Sequence, residues 1–209
     1  MITSPVNHIR PKAIPYSYKY GNNGFTLIEV MVAMAIMSVV MVMVISATTS
    51  LNRSNTTQNV AAGVQQVTRA GVDIMTRNIR MAGLNPLNIN PIGIVQATSD
   101  SIRFQYDTNG SGTIATNAID DANEDMGYLL NGNKQLIRQL NGKATSNRSL
   151  VDNVSDLTFR YLDADNAQTS DLSAIRTIEI SLTVEEPAGR KQSLSRTYST
   201  RVICRNLRL

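Results

Sequence analysis

Gly24-Phe25-Thr26-Leu27-Ile28-Glu29-Val30-Met31-Val32-Ala33-Met34-Ala35-Ile36-Met37-Ser38-Val39-Val40 decides the architecture: an apolar run that carries one acid and starts directly after a glycine. From Val30 through Ala47 only Ser38 and Ser46 break the run, and no charge follows Glu29 until Arg53. Counted from Phe25 to Ala47 it has 23 residues. At a rise of about 1.5 Å per residue, such a helix reaches roughly 34 Å, enough for a bilayer core of about 30 Å. Residues 1–23 are polar and rich in Pro, Tyr and Asn, with Arg10, Lys12 and Lys19 and no acid. A general secretory signal places its apolar stretch before the cleavage point, whereas here it follows the glycine. By the positive-inside rule the basic leader predicts a cytoplasmic N-terminus, with the remainder on the far side of the inner membrane.

Glu29 is the informative residue of the run, because a carboxylate in a membrane segment is costly without a partner. One reading has it reach the nearby headgroups. The other gives it a cation: cleavage after Gly24 creates a new amino group at Phe25, which a neighbouring subunit can present when helices pack. One unpaired charge in a dry bundle is penalised more than the pair is rewarded, so such pairing sets axial register.

Gly24-Phe25-Thr26-Leu27-Ile28-Glu29-Val30 after a short basic leader resembles the signal of type IV pilins and type II secretion pseudopilins. The resemblance implies a prepilin peptidase that cuts between Gly24 and Phe25 and methylates the new amine of Phe25. It assigns Glu29 to assembly and register. The helix-bending proline often found about twenty residues into mature pilins is absent, with Ser46 in that place, so a continuous helix is predicted.

Beyond Ala47, Val60, Val64, Val67, Gly71, Ile74 and Ile79 recur at mostly three- or four-residue spacing and form one small or apolar stripe. Gly83 and Pro86 mark the end, so the long helix is assigned to residues 25–82, with 25–47 as its transmembrane and assembly segment. Residues 83–209 then break into short alternating runs: 92–97, 101–106, 127–130, 135–139, 157–162, 175–184 and 194–204. Asn131-Gly132 is expected to supply the positive φ angles of a tight hairpin turn. The fold class is α+β: a long N-terminal helix, membrane half then amphipathic half, packed on an antiparallel β-sheet head in the manner of pilins. The blocks Asp73 to Gly83, Val154 to Leu162 and Tyr198 to Val202 are similar to those of PilW-type minor pilins, which are related to J-type minor pseudopilins.

Composition narrows the chemistry. The chain carries a net charge of +4, and removing the three basic residues of the leader leaves the rest near +1. That is a poor counterion-releasing surface, and no nucleic-acid binding is predicted. His8, the single histidine, lies in the leader, so loss of residues 1–24 leaves no imidazole for a Ser-His pair or a metal, and no enzyme activity is predicted. Cys204 is the single cysteine, which precludes an intrachain disulfide and suits a small buried hydrophobe. Asp107-Thr108-Asn109-Gly110-Ser111-Gly112-Thr113 follows the start of a calcium loop, with Asp107, Asn109, Ser111 and Thr113 at ligand positions. Ala118 stands where a bidentate glutamate belongs, so Asp120 or a neighbouring acid would have to complete the set. A solvated hairpin loop explains the same residues; no cofactor is required, and calcium is the one candidate.

These features, with the resemblance, predict a minor pilin, anchored by one helix before assembly and found in a pilus at the cell surface afterwards. Its partners would be the prepilin peptidase, other minor and major pilins, and the inner-membrane assembly platform. A minor pseudopilin of type II secretion is the alternative. A membrane-anchored enzyme or ligand-binding protein would have to retain residues 1–24.

Overall fold

The computed structural model describes residues 24–88, 91–114, 124–188 and 193–208. It divides into two compact units, one ending at Thr48 and the other running from Thr49. One helix, α1 (Leu27–Ile79), belongs to both and is uninterrupted over its 53 residues. It starts two residues later than expected because Thr26 serves as its cap, and it stops three residues before the expected end at residue 82. The last turn tightens instead: Met81 N–H bonds to Asn78 O at 3.0 Å and Ala82 N–H to Ile79 O at 3.0 Å. Gly83 follows at φ +79°, as a chain-reversing glycine should, and its N–H donates to Gln105 O at 2.9 Å.

In the second unit, eight strands follow: β1 (Ile94–Ala97), β2 (Ser101–Gln105), β3 (Asp125–Leu130), β4 (Leu136–Leu140), β5 (Arg148–Val151), β6 (Val154–Leu162), β7 (Thr177–Pro187) and β8 (Ser193–Ile203). They sort into a five-stranded sheet, β1-β2-β3-β4-β5, and a three-stranded sheet, β6-β7-β8, every pairing antiparallel. The chain is therefore α+β with pilin-like architecture. Neither the division into two sheets nor β5 was evident in the sequence, where Arg148-Ser149-Leu150-Val151 carries only two apolar residues.

The buried stripe of α1 in this unit is Val64, Thr68, Gly71, Val72, Met75 and Ile79. The stripe read from the sequence is rotated relative to it: Val67 is 44% exposed, while Thr68 is buried. Thr68 can be buried because its hydroxyl bonds back to Val64 O at 2.6 Å. Gly71 sets the rotation. A Cβ there would stand 2.8 Å from Val151 Cγ2, 3.2 Å from Leu182 Cδ2 and 3.6 Å from Leu136 Cδ2, so the helix backbone lies against side chains of both sheets. One core results, in which Val72, Met75 and Ile79 join Phe104, Tyr128 and Leu136 of the larger sheet and Ile178, Ile180 and Leu182 of the smaller. Along β7 the alternation is regular, with Ile178, Ile180, Leu182 and Val184 buried and Glu179, Ser181 and Thr183 on the other face.

The β3–β4 connection corrects one expectation. Neither Asn131 nor Gly132 has a positive φ; the left-handed residue is Lys134 at +58°. Asn131 Oδ1 instead accepts the N–H of Asn133 at 3.0 Å and of Gln135 at 2.9 Å, closing a longer loop around its side chain. Cys204 is fully buried, as a small hydrophobe would be, and burial pushes its thiol up to about 12.

Candidate functional site

The site that the sequence singles out is Gly24 to Glu29. Gly24, Phe25 and Thr26 precede α1 as irregular backbone, and Phe25 is 88% exposed. A side chain on Gly24 would meet no atom within 4 Å, and its backbone needs no left-handed angle. Among the described residues nothing demands a glycine here. Residues 1–23 of the expected leader lie outside the described residues.

Thr26 and Glu29 build the helix start. Thr26 N–H donates to Glu29 Oε2 at 2.9 Å, its hydroxyl donates to the same oxygen at 2.9 Å, and Glu29 N–H donates to Thr26 Oγ1 at 3.3 Å. Val30 N–H then reaches Thr26 O at 3.3 Å, the first helical bond. Threonine at the cap and glutamate three residues on form a reciprocal capping box, which satisfies N–H groups that a helix start leaves without partners. A carboxylate there also suits the positive end of the helix dipole. Thr-x-x-Glu before an apolar run is a recognisable signal of this arrangement, and reading Glu29 only as a membrane or intersubunit charge passed over it. Both bonds from Thr26 end on Oε2, and among the described residues Oε1 accepts nothing. Glu29 thus caps its own helix while keeping one oxygen open.

From Leu27 to Ile45 the large apolar residues are exposed around the whole helix; Leu27 is 80%, Met37 70% and Ile45 56% exposed. A helix apolar on every side needs an apolar surrounding, and this one is long enough to cross a membrane. Met31, Met34, Met37, Met41 and Met43 are among the exposed side chains, adaptable surfaces for packing against lipid or other helices.

The candidate calcium residues lie after β2. Asp107 is buried, and its carboxylate accepts main-chain N–H groups: Gly110 at 2.7 Å and Ser111 at 3.2 Å on Oδ1, and Gly112 at 2.8 Å on Oδ2. Gly110 and Gly112, at φ +67° and +71°, let these amides converge. Asn109 Oδ1 accepts Ser111 N–H at 2.8 Å, and the Ser111 hydroxyl donates to Thr113 O at 2.9 Å. The loop is held from below by buried Glu124, whose Oε1 accepts Thr108 N–H at 2.9 Å and Asn109 N–H at 3.3 Å. Asp120 lies outside the described residues, and among those described no three Asp, Glu, His or Cys side chains gather as a metal site. In this conformation Asp107, Asn109, Ser111 and Thr113 bond one another and the loop backbone.

Two family models match the chain. One, the prokaryotic N-terminal methylation motif, covers residues 19–45 and so includes Gly24 to Glu29. The other, prepilin peptidase-dependent protein B, covers residues 57–203, the amphipathic half of α1 and every strand of both sheets. No curated protein matches the chain.

Proposed function

Because the chain belongs to the prepilin peptidase-dependent protein B family and is thereby a pilin-like substrate of prepilin peptidase, we propose that it is a minor pilin whose role is structural. The observation that carries this reading is the juxtaposition of an exposed, non-helical Gly24-Phe25 bond with a self-capped, wholly apolar helix start. A peptidase needs extended, accessible substrate backbone, and a filament needs an intact helix beginning just beyond the cut. The leader, residues 1–24, is removed. Phe25 acquires a free and then methylated amine, which keeps its positive charge.

That charge sits at the positive end of its own helix dipole, an unfavourable place unless an acid is near. Glu29 supplies one. Its open Oε1 also faces the possibility of a second cation, the Phe25 amine of an adjacent subunit, without loss of the cap. Pairing of this kind supports the assembly and register role given to Glu29. Before assembly the subunit is anchored in the inner membrane, N-terminus cytoplasmic and the residues from 83 periplasmic. Afterwards it joins major and other minor pilins, drawn from the membrane by the assembly platform.

A minor pseudopilin of type II secretion shares the signal and the helix, and PilW-like blocks in the second unit favour the pilus. Expression of the full chain with and without its prepilin peptidase, followed by fractionation of sheared surface filaments, tests the proposal. It predicts a smaller product with the peptidase and that product in the filaments. A processed product absent from filaments but needed for protein export would move the assignment to secretion.

A further inference from the structure

Four strand edges border the two sheets, and three of them are blunted. β1 and β5 are four residues long, and each pairs with its neighbour through a register shift. β6 is covered: Phe159 N–H donates to Ser99 O at 2.7 Å, and the Tyr161 hydroxyl bonds with Thr98 O at 2.8 Å and Ser101 O at 2.9 Å. β8 has none of these protections. It pairs with β7 residue for residue over eleven positions, from Thr177 opposite Ile203 to Pro187 opposite Ser193, with no bulge, and holds neither proline nor lysine. Long regular edges of this kind are templates for another strand, and proteins usually avoid them.

The ladder shows which groups are free. Cys204 N–H donates to Arg176 O, and Glu185 N–H donates to Asn153 O on the opposite side of β7. By the alternation of an antiparallel pair, the odd-numbered residues of β8, among them Thr197 and Ser199, turn N–H and C=O away from β7, and at Ser195 the outward carbonyl already accepts Arg196 Nη1 at 3.0 Å. Among the described residues no other segment takes these groups. The same residues extend a hydroxyl ladder across the sheet, Ser181 to Ser199 at 2.9 Å and Thr183 to Thr197 at 2.8 Å, which a further strand could continue.

Charge selects the occupant. From Gly189 to Leu209 the sequence has six basic residues and no Asp or Glu. Of the neighbouring acids, Glu179 is paired with Arg160 and Arg201 and Glu186 accepts from Asn153, which leaves Glu185, opposite Ser195, as the one acid beside the edge among the described residues. Arg196 and Arg205 have no ion pair among the described residues. We propose that the free edge of β8 is the docking site for an extended acidic segment of a partner protein, which joins the smaller sheet as its fourth strand. Main-chain bonds supply affinity and the arginines select the acidic partner.

The test uses the full chain in detergent micelles and a labelled, end-blocked ten-residue peptide alternating valine with glutamate and threonine, followed by fluorescence anisotropy. Saturable binding is expected, at least tenfold weaker for the lysine-for-glutamate peptide. Thr197→Pro, which removes an outward N–H, should weaken it at least tenfold with the thermal transition preserved. The double change Arg196→Glu and Arg205→Glu keeps every main-chain N–H and C=O, releases Ser195 O from Arg196, and should reverse the preference between the peptides. No saturable binding, or equal binding of both peptides, would overturn the proposal. So would self-association of the chain that Thr197→Pro disperses while the acidic peptide stays unbound, since the occupant would then be a second copy.

Discussion

Thr26 and Glu29 bond each other in both directions across the first turn of α1, and only one carboxylate oxygen is used. Capping and intersubunit pairing can therefore be separated by mutation. Thr26→Ala removes the hydroxyl and loosens the first turn but leaves the carboxylate, so processing and filament entry should persist, with faster amide exchange at Glu29 and Val30. Glu29→Ala removes both roles and should leave cleavage possible but reduce filament entry severely. Sheared-filament immunoblots read the difference, and equal incorporation of Glu29→Ala and wild type would sink the register role.

Gly71 touches both sheets, so it reports on the core of the second unit. Gly71→Val would place branched carbons where even a Cβ stands 2.8 Å from Val151. Overpacking of this kind costs about 1–3 kcal/mol, a loss of roughly 2–10 °C in melting temperature for a domain of this size. Scanning calorimetry of the full chain checks it. An unchanged transition would mean that helix and sheets are not packed this closely.

Cys204 and Tyr128 predict a decline in stability at alkaline pH. Burial raises the thiol from 9.0 to about 12 and the Tyr128 hydroxyl from 10.0 to about 12. The unfolded chain releases these protons first, so their contribution is whole below about pH 9 and shrinks as pH climbs towards 12. Each group costs at most about 1.4 kcal/mol per pH unit over its own window. Melting temperature should be flat to about pH 9 and then fall. Cys204→Ala should delay the onset by about one unit, consistent with its lower ordinary value.

The loop after β2 is already closed by three amides on Asp107, so a chelator should leave the thermal transition where it was. A fall of several degrees on chelation, reversed by calcium, would instead assign a cation to Asp107 and its neighbours.

The sequence made the helix plain because its apolar run, its lack of proline and the Gly83 stop all act locally. Most strand positions were legible for the same reason, bounded on at least one side by Asn, Gly or Asp. What it hid depends on distant partners. The inward turn of Thr68 and outward turn of Val67 follow from the approach of Gly71 to Val151 and Leu182, and no local pattern announces it. β5 pairs by register with β4, not by any apolar signal of its own. Lys134 took the left-handed angle because Asn131 spent its side chain closing the loop. At the candidate site the capping box was readable from Thr26 and Glu29, and the interest of a lone acid in an apolar run obscured it.

Mass spectrometry of the N-terminus, on protein from membranes and from sheared surface filaments, tests the central claim most directly. The filament form should begin at a methylated Phe25. Intact Met1 in the assembled protein would contradict it.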